Sequence, residues 1–118
     1  MITQIIQMNF TGFPLYSTLI KEVDEDLKNK SLDDNTAIPL KDKQFVVNSM
    51  KKIDKQNYEY IYCLILSYYL DTNKKNLEGI PYEGKQLKSG IKLNFEDLPN
   101  KLQRIIYTFV SKKIERFD

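Results

Sequence analysis

The 118-residue sequence has no histidine, no tryptophan and one cysteine. Each absence removes chemistry. Without histidine, most acid–base schemes lose their usual proton carrier. Without histidine and a second cysteine, neither a Cys/His zinc site nor an internal disulfide can be assembled. No metal or cofactor is expected. Cys63, inside the apolar stretch "YIYCLILSYYL", reads as a packing thiol, because free cysteine is among the most buried residue types. No apolar run reaches the roughly 20 residues of a membrane span, and residues 1–10 carry neither a basic lead nor a small-residue cleavage site. No membrane contact is therefore expected. The expected setting is intracellular, with nucleus, cytoplasm and viral factory or virion left open.

What is present is ordinary for a folded domain. Hydrophobic residues make up 42% and charged residues 29%, far from the signature of disorder. The length suits one compact unit, residues 1–118. The abundance of Lys, Asn and Ile fits an AT-rich genome, as in large DNA viruses, protists and parasites. The net charge of +2 hides an asymmetry: residues 1–40 hold 3 basic and 6 acidic side chains, residues 41–118 hold 15 and 10. Lys85, Lys88, Lys92, Lys101, Arg104, Lys112, Lys113 and Arg116 could form one basic face of the kind that meets nucleic acid. Glu83, Glu96, Asp97 and Glu115 are interleaved with them, which points instead to a solvated surface.

Proline and glycine number four each and mark the breaks. Residues 1–13 are apolar and β-tolerant up to Gly12 and predict an extended arm. Pro14 suits a first helical turn, where a missing N–H costs nothing, and Leu15, Leu19, Val23 and Leu27 follow at four-residue steps. A helix of about 15 residues is expected there, with Asp24, Glu25 and Asp26 on its wet side. The stretch "SLDDNTAIP" reads as a loop. Pro39 opens a second helix with Val46, Met50 and Ile53 on one face. Asp54 is placed to cap a third, since its carboxylate can accept from free amides of the next turn. Ile61, Leu64, Ile65 and Tyr68 mark one stripe of that third helix, whose apolar width requires cover on more than one face; it is expected to be the central helix. Its tyrosines, Tyr58, Tyr60, Tyr62, Tyr68 and Tyr69, suit core and rim packing better than base stacking.

A turn-rich connection with Gly79, Pro81, Gly84 and Gly90 follows, in which residues 82–87 could hold one helical turn. Ile91, Leu93 and Phe95 then alternate with Lys92 and Asn94, the period of a half-exposed extended segment. Leu98 precedes Pro99 and is pushed away from helical torsions, so the extended part stops there and a last helix begins. Leu102, Ile105, Ile106, Phe109, Val110, Ile114 and Phe117 form its apolar stripe. The pattern as a whole predicts an all-α, single-domain bundle of about four helices, with a short extended segment before the last one.

The stretch "YEGKQLKSGIKLNFEDLPNKLQRII" resembles the NET or extraterminal domain that accompanies bromodomains. Tyr82, Glu83, Lys85, Leu93, Phe95, Leu98, Pro99, Leu102, Ile105 and Ile106 carry the resemblance, within residues 82–118. It implies a small helical bundle that grips short basic-apolar peptides of transcription and chromatin factors, or of viral proteins, by strand addition. Gly84, Ser89 and Gly90 interrupt what would be that family's first helix. The sequence reaches Asp118 without the family's third helix and acidic loop, so residues 14–70 are expected to supply the packing partner.

An enzyme is not expected. "EGKQLKSG" lacks the GxxxxGK[ST] spacing of a phosphate cradle, and the pairs Asp33-Asp34 and Glu96-Asp97 sit in turn or helix-start settings that helix electrostatics accounts for. The leading expectation is a non-enzymatic protein–protein interaction module, with Ile91, Lys92, Leu93, Asn94, Phe95, Glu96 and Asp97 as the partner-binding edge. Ile91, Leu93 and Phe95 would face the core, and Glu96 and Asp97 would attract a basic peptide. The alternatives are a nucleic-acid-binding or architectural protein, with weak binding, and a structural subunit of a virion or larger assembly. Oligomeric state is left open.

Overall fold

A computed structural model describes residues 14–72, 82, 84–87 and 90–117; of residues 86, 87, 90, 91 and 114–117 it describes the backbone alone. The expected arm at residues 1–13 lies outside the described residues, as do the side chains of Ile91, Ile114 and Phe117. The elements in chain order are α1 (Pro14–Asn29), α2 (Leu40–Met50), α3 (Lys55–Thr72), β1 (Lys85–Leu87), β2 (Gly90–Lys92), a 3-10 turn (Phe95–Asp97) and α4 (Asn100–Phe117). The expected all-α bundle of four helices is the observed one, with a two-residue-linked hairpin as its short extended part.

Each helix begins and ends for a local reason. Pro14 opens α1, which buries Leu19, Val23 and Leu27. Its C-terminus closes in a Schellman pattern: Leu27 O accepts from Leu32 N at 2.8 Å and Lys28 O from Ser31 N at 3.2 Å. Ser31 takes the left-handed position at φ 56° where glycine is usual. Pro39 caps α2, its carbonyl accepting from the amides of Asp42 and Lys43. Asp54 caps α3 as expected, with Oδ1 accepting from Asn57 N at 2.9 Å.

The core unites Leu19, Val23 and Leu27 of α1, Val46 of α2, Ile61, Leu64 and Ile65 of α3, and Leu98, Leu102, Ile105, Ile106, Phe109 and Val110 at the end of the chain. Helix α4 supplies the largest share, five residues, because its apolar residues recur at i, i+3, i+4, i+7 and i+8, a stripe wide enough to serve several neighbours. It packs against α1, α2 and α3, whereas α3 meets α1 and α4. The central helix is therefore α4, not α3. The signal that misled was the sheer apolar content of α3. It does need cover on more than one face, as expected: Cys63, Leu66, Ser67 and Leu70 are buried apart from the main core cluster. Cys63 is buried and forms no disulfide. Phe45 and Tyr107, and Tyr60 and Phe109, meet edge to face at 6.0 and 6.4 Å, tying α2 and α3 to α4.

The loop between α1 and α2 is bound to α4 by polar groups. Asp33 accepts from Asn35 N and from the Thr36 hydroxyl, which folds the turn on itself. Asn100 Nδ2 donates to Asn35 O at 2.7 Å, Arg104 Nε to Thr36 O at 3.2 Å and Arg104 Nη2 to Ala37 O at 3.4 Å. Ile38 is buried beneath them. Among the described residues no helix is long and apolar enough to cross a membrane.

Candidate functional site

The candidate edge is built on a hairpin. Strands β1 and β2 are antiparallel, with Lys85 opposite Lys92, Gln86 opposite Ile91 and Leu87 opposite Gly90. Residues 85–87, part of the 82–87 stretch that could have held one helical turn, are thus strand: the alternating partner at 90–92 offers a ladder that an isolated turn of helix lacks. Lys85 and Lys92 bring like charges directly across the pair, a small local cost. Since the sheet has two strands among the described residues, the outer side of β2 has no strand partner among them.

Beyond Lys92 the chain leaves the ladder. Leu93 and Phe95 are half-buried against the core, while Lys92 and Asn94 are exposed, the alternation that the sequence implied. The extended geometry does not run on through residue 95, however. Asn94 Oδ1 accepts from Glu96 N at 3.3 Å and Asn94 O from Asp97 N at 3.0 Å, folding residues 95–97 into the 3-10 turn. The short asparagine side chain competes for backbone amides and stops the strand. Only residues 90–92 are therefore strand, and residues 94–97 satisfy backbone groups locally.

The Leu98-Pro99 corner is locked from inside. Leu98 sits at φ −82°, ψ 147° and is buried. Gln103, 1% exposed, donates from Nε2 to Phe95 O at 3.2 Å and to Leu98 O at 2.9 Å. Lys43 of α2 reaches Glu96 at 3.4 Å, with the Glu96 side chain 61% exposed; such a pair is weak and open to competition. Asp97 is exposed. On the other side, Tyr82, at φ 55°, sets its ring edge-on to Tyr69 at 5.2 Å. Burial pushes the Tyr82 hydroxyl up to about 12, with Tyr68 nearby adding to the effect.

The described basic side chains of α4, Lys101, Arg104, Lys112 and Lys113, each have a partner within the bundle. Lys101, its side chain 13% exposed, bridges Asp24 at 2.7 Å and Asp34 at 3.3 Å. Arg104 clamps the 36–37 carbonyls, Lys112 pairs with Glu22 at 3.0 Å and Lys113 lies 5.6 Å over the Phe109 ring. The cations meet the acids of α1 across the helix pair, an encounter invisible along the sequence. A concavity of about 370 Å³ lies between the α1–α2 loop and α4, lined among others by Asp26, Lys30, Ile38, Asp42, Arg104 and Tyr107. Its charged groups are largely committed, Asp26 to Lys30 and Arg104 to the loop, so it reads as a packing seam. Among the described residues no group of three or more Cys, Asp or Glu is placed to hold a metal ion.

Comparison with family models, with curated proteins and with solved structures returns no match in any of the three.

Proposed function

We propose that this chain is a non-enzymatic protein–protein interaction module that takes a short basic-apolar peptide as an added strand, in the manner of the transcription and chromatin adaptors its 82–110 segment resembles. A viral protein acting on such factors fits the same reading, as does an intracellular setting. The observation that carries it is the outer edge of β2, followed after Leu93 and Asn94 by a 3-10 turn with exposed Glu96 and Asp97. A peptide strand added at residues 90–92 gains main-chain hydrogen bonds, and its basic end lies where a peptide cation can compete with Lys43 for Glu96, beside exposed Asp97. A nucleic-acid role has less support, because Lys101, Arg104 and Lys112 already have partners within the bundle.

The test is a titration of isotope-labelled protein with lysine-rich, alternating apolar peptides. Amide shifts concentrated at residues 90–97 are expected. Binding that leaves these amides unmoved, or no binding at millimolar peptide, refutes the reading; tighter binding of a glutamate-rich analogue reverses the charge assigned to the partner.

A further inference from the structure

Helix α2 has two apolar sides. Its inner side buries Val46 and rests Phe45 and Met50 against the core. Its outer side carries Leu40, 69% exposed, and Val47, 45% exposed. Seven residues apart, the two stand about two turns from each other on one face. Neither has a local reason to be there: valine is a mediocre helix former, and a solvated helix face is ordinarily polar.

Lysines outnumber acids around these two side chains. Residues 40–58 contain five lysines and two aspartates. Lys41, Lys51, Lys52 and Lys55 are exposed, and none makes an ion pair with a described residue. The two acids are occupied elsewhere, Asp42 lining the seam against α4 and Asp54 capping α3. The outer face of α2 thus carries two exposed aliphatic side chains edged with cations, of which Lys41, Lys51 and Lys52 have no ion pair with a described residue.

We propose that this face docks an acidic amphipathic helix of a partner protein, its apolar residues meeting Leu40 and Val47 and its carboxylates meeting Lys41, Lys51 and Lys52. A second copy of the chain on the same face would set these lysines against themselves, since a two-fold contact pairs a patch with its own image. Of the four acids of α1, Glu22, Asp24 and Asp26 are held by Lys112, Lys101 and Lys30, which leaves Glu25 alone to offer a second copy. Phosphate backbones offer nothing to the apolar centre of the patch, and an 11-residue helix with two protruding aliphatic side chains is a poor membrane-surface anchor. This surface adjoins the hairpin edge through the Lys43–Glu96 pair but prefers the opposite charge, so the site of the amide shifts and the sign of the bound peptide tell the two proposals apart.

The experiment is binding of a labelled Glu/Leu amphipathic helical peptide to the full chain, read by fluorescence anisotropy and by amide shifts. Shifts at residues 40–52 are expected, with a loss of about tenfold or more in affinity for Val47→Asp and for Lys41→Glu/Lys51→Glu/Lys52→Glu. Because these side chains are exposed, thermal unfolding of the variants should match the parent, which separates lost contact from lost fold. Four results overturn the proposal: no binding, shifts confined to the hairpin, affinity indifferent to Val47→Asp, or equal binding of a Lys/Leu peptide. Phosphatidylserine vesicles, a DNA duplex or self-association that depends on Val47 would each overturn it too, by putting a different occupant on the face.

Discussion

The side-chain amide of Gln103 donates to the carbonyls of Phe95 and Leu98, at 3.2 and 2.9 Å, from a position 1% exposed. One residue of α4 thereby fixes both the 3-10 turn and the corner that precedes its own helix. The other end of the amide, Oε1, is buried without a hydrogen-bond partner, so the group sits there for its donor capacity. Gln103→Leu should leave two carbonyls less well satisfied and cost about 1 to 3 kcal/mol. Gln103→Glu should cost more, since a carboxylate accepts but does not donate when ionised. Denaturant unfolding of the two variants checks the order; equal stability of Gln103→Glu and the parent would dismiss the lock.

Ser31 closes α1 in a left-handed conformation at φ 56°. A residue with a Cβ pays about 1 to 2 kcal/mol there, and glycine avoids this while losing some advantage to its freer unfolded chain. Ser31→Gly should therefore stabilise the protein by about 0.5 to 1 kcal/mol. A rise in the denaturation midpoint with unchanged slope is the expected readout.

Packing at Ile65 and Ile106 offers a direct comparison of the two apolar helices. Both are buried, at 4% and 1% exposure. Truncation of either to Ala should cost about 2 to 5 kcal/mol. Ile106→Ala should be the worse, because α4 borders all three other helices and its cavity has less room to collapse. A larger loss at Ile65 would return the central place to α3.

The helices were legible in the sequence because their signals are local. Pro14, Pro39, Asp54 and Pro99 set starts, and the stripes of α1 and α4 set the buried faces. The alternation at 91–95 correctly gave the half-buried Leu93 and Phe95 and the exposed Lys92 and Asn94. What could not be read depends on encounters between distant residues. The pairing of 85–87 with 90–92, the burial of Gln103 and the seating of Lys101 between Asp24 and Asp34 have no periodicity to betray them. Asn94 gave a usable hint, being a residue that folds nearby amides onto itself.

Lys101 joins α4 to α1 and to the α1–α2 loop through two carboxylates. Lys101→Met should cost about 1 to 2 kcal/mol, above the 0 to 1 kcal/mol of a single exposed pair, and the loss should shrink in high salt. DNA binding should be weak, salt-sensitive and sequence-indifferent in both proteins. A band shift that survives physiological salt at nanomolar protein, and is lost in Lys101→Met, would instead restore the basic face.

Alkaline pH should unfold this protein early, for a reason shared by several groups. Burial raises the hydroxyls of Tyr16, Tyr62, Tyr68 and Tyr82 above the ordinary 10.0, with the Asp71 carboxylate, which accepts from Tyr16 at 2.9 Å, raising that residue further. Lys101 is also raised from 10.5: burial alone would lower it, but Asp24 and Asp34 outweigh the burial. A group whose folded-state value lies above its unfolded one holds its proton longer in the fold, so its contribution is complete below the unfolded value and lost as pH climbs through the folded one. Here that window opens at pH 10.0 and, for Tyr82, extends to about 12. Stability should accordingly be flat up to about pH 9.5 and fall steeply beyond 10. Denaturant titrations across that range, followed by tyrosinate absorbance, provide the check. A Tyr16→Phe variant removes one of the raised hydroxyls and should soften the slope, whereas an unchanged slope would place the linkage elsewhere.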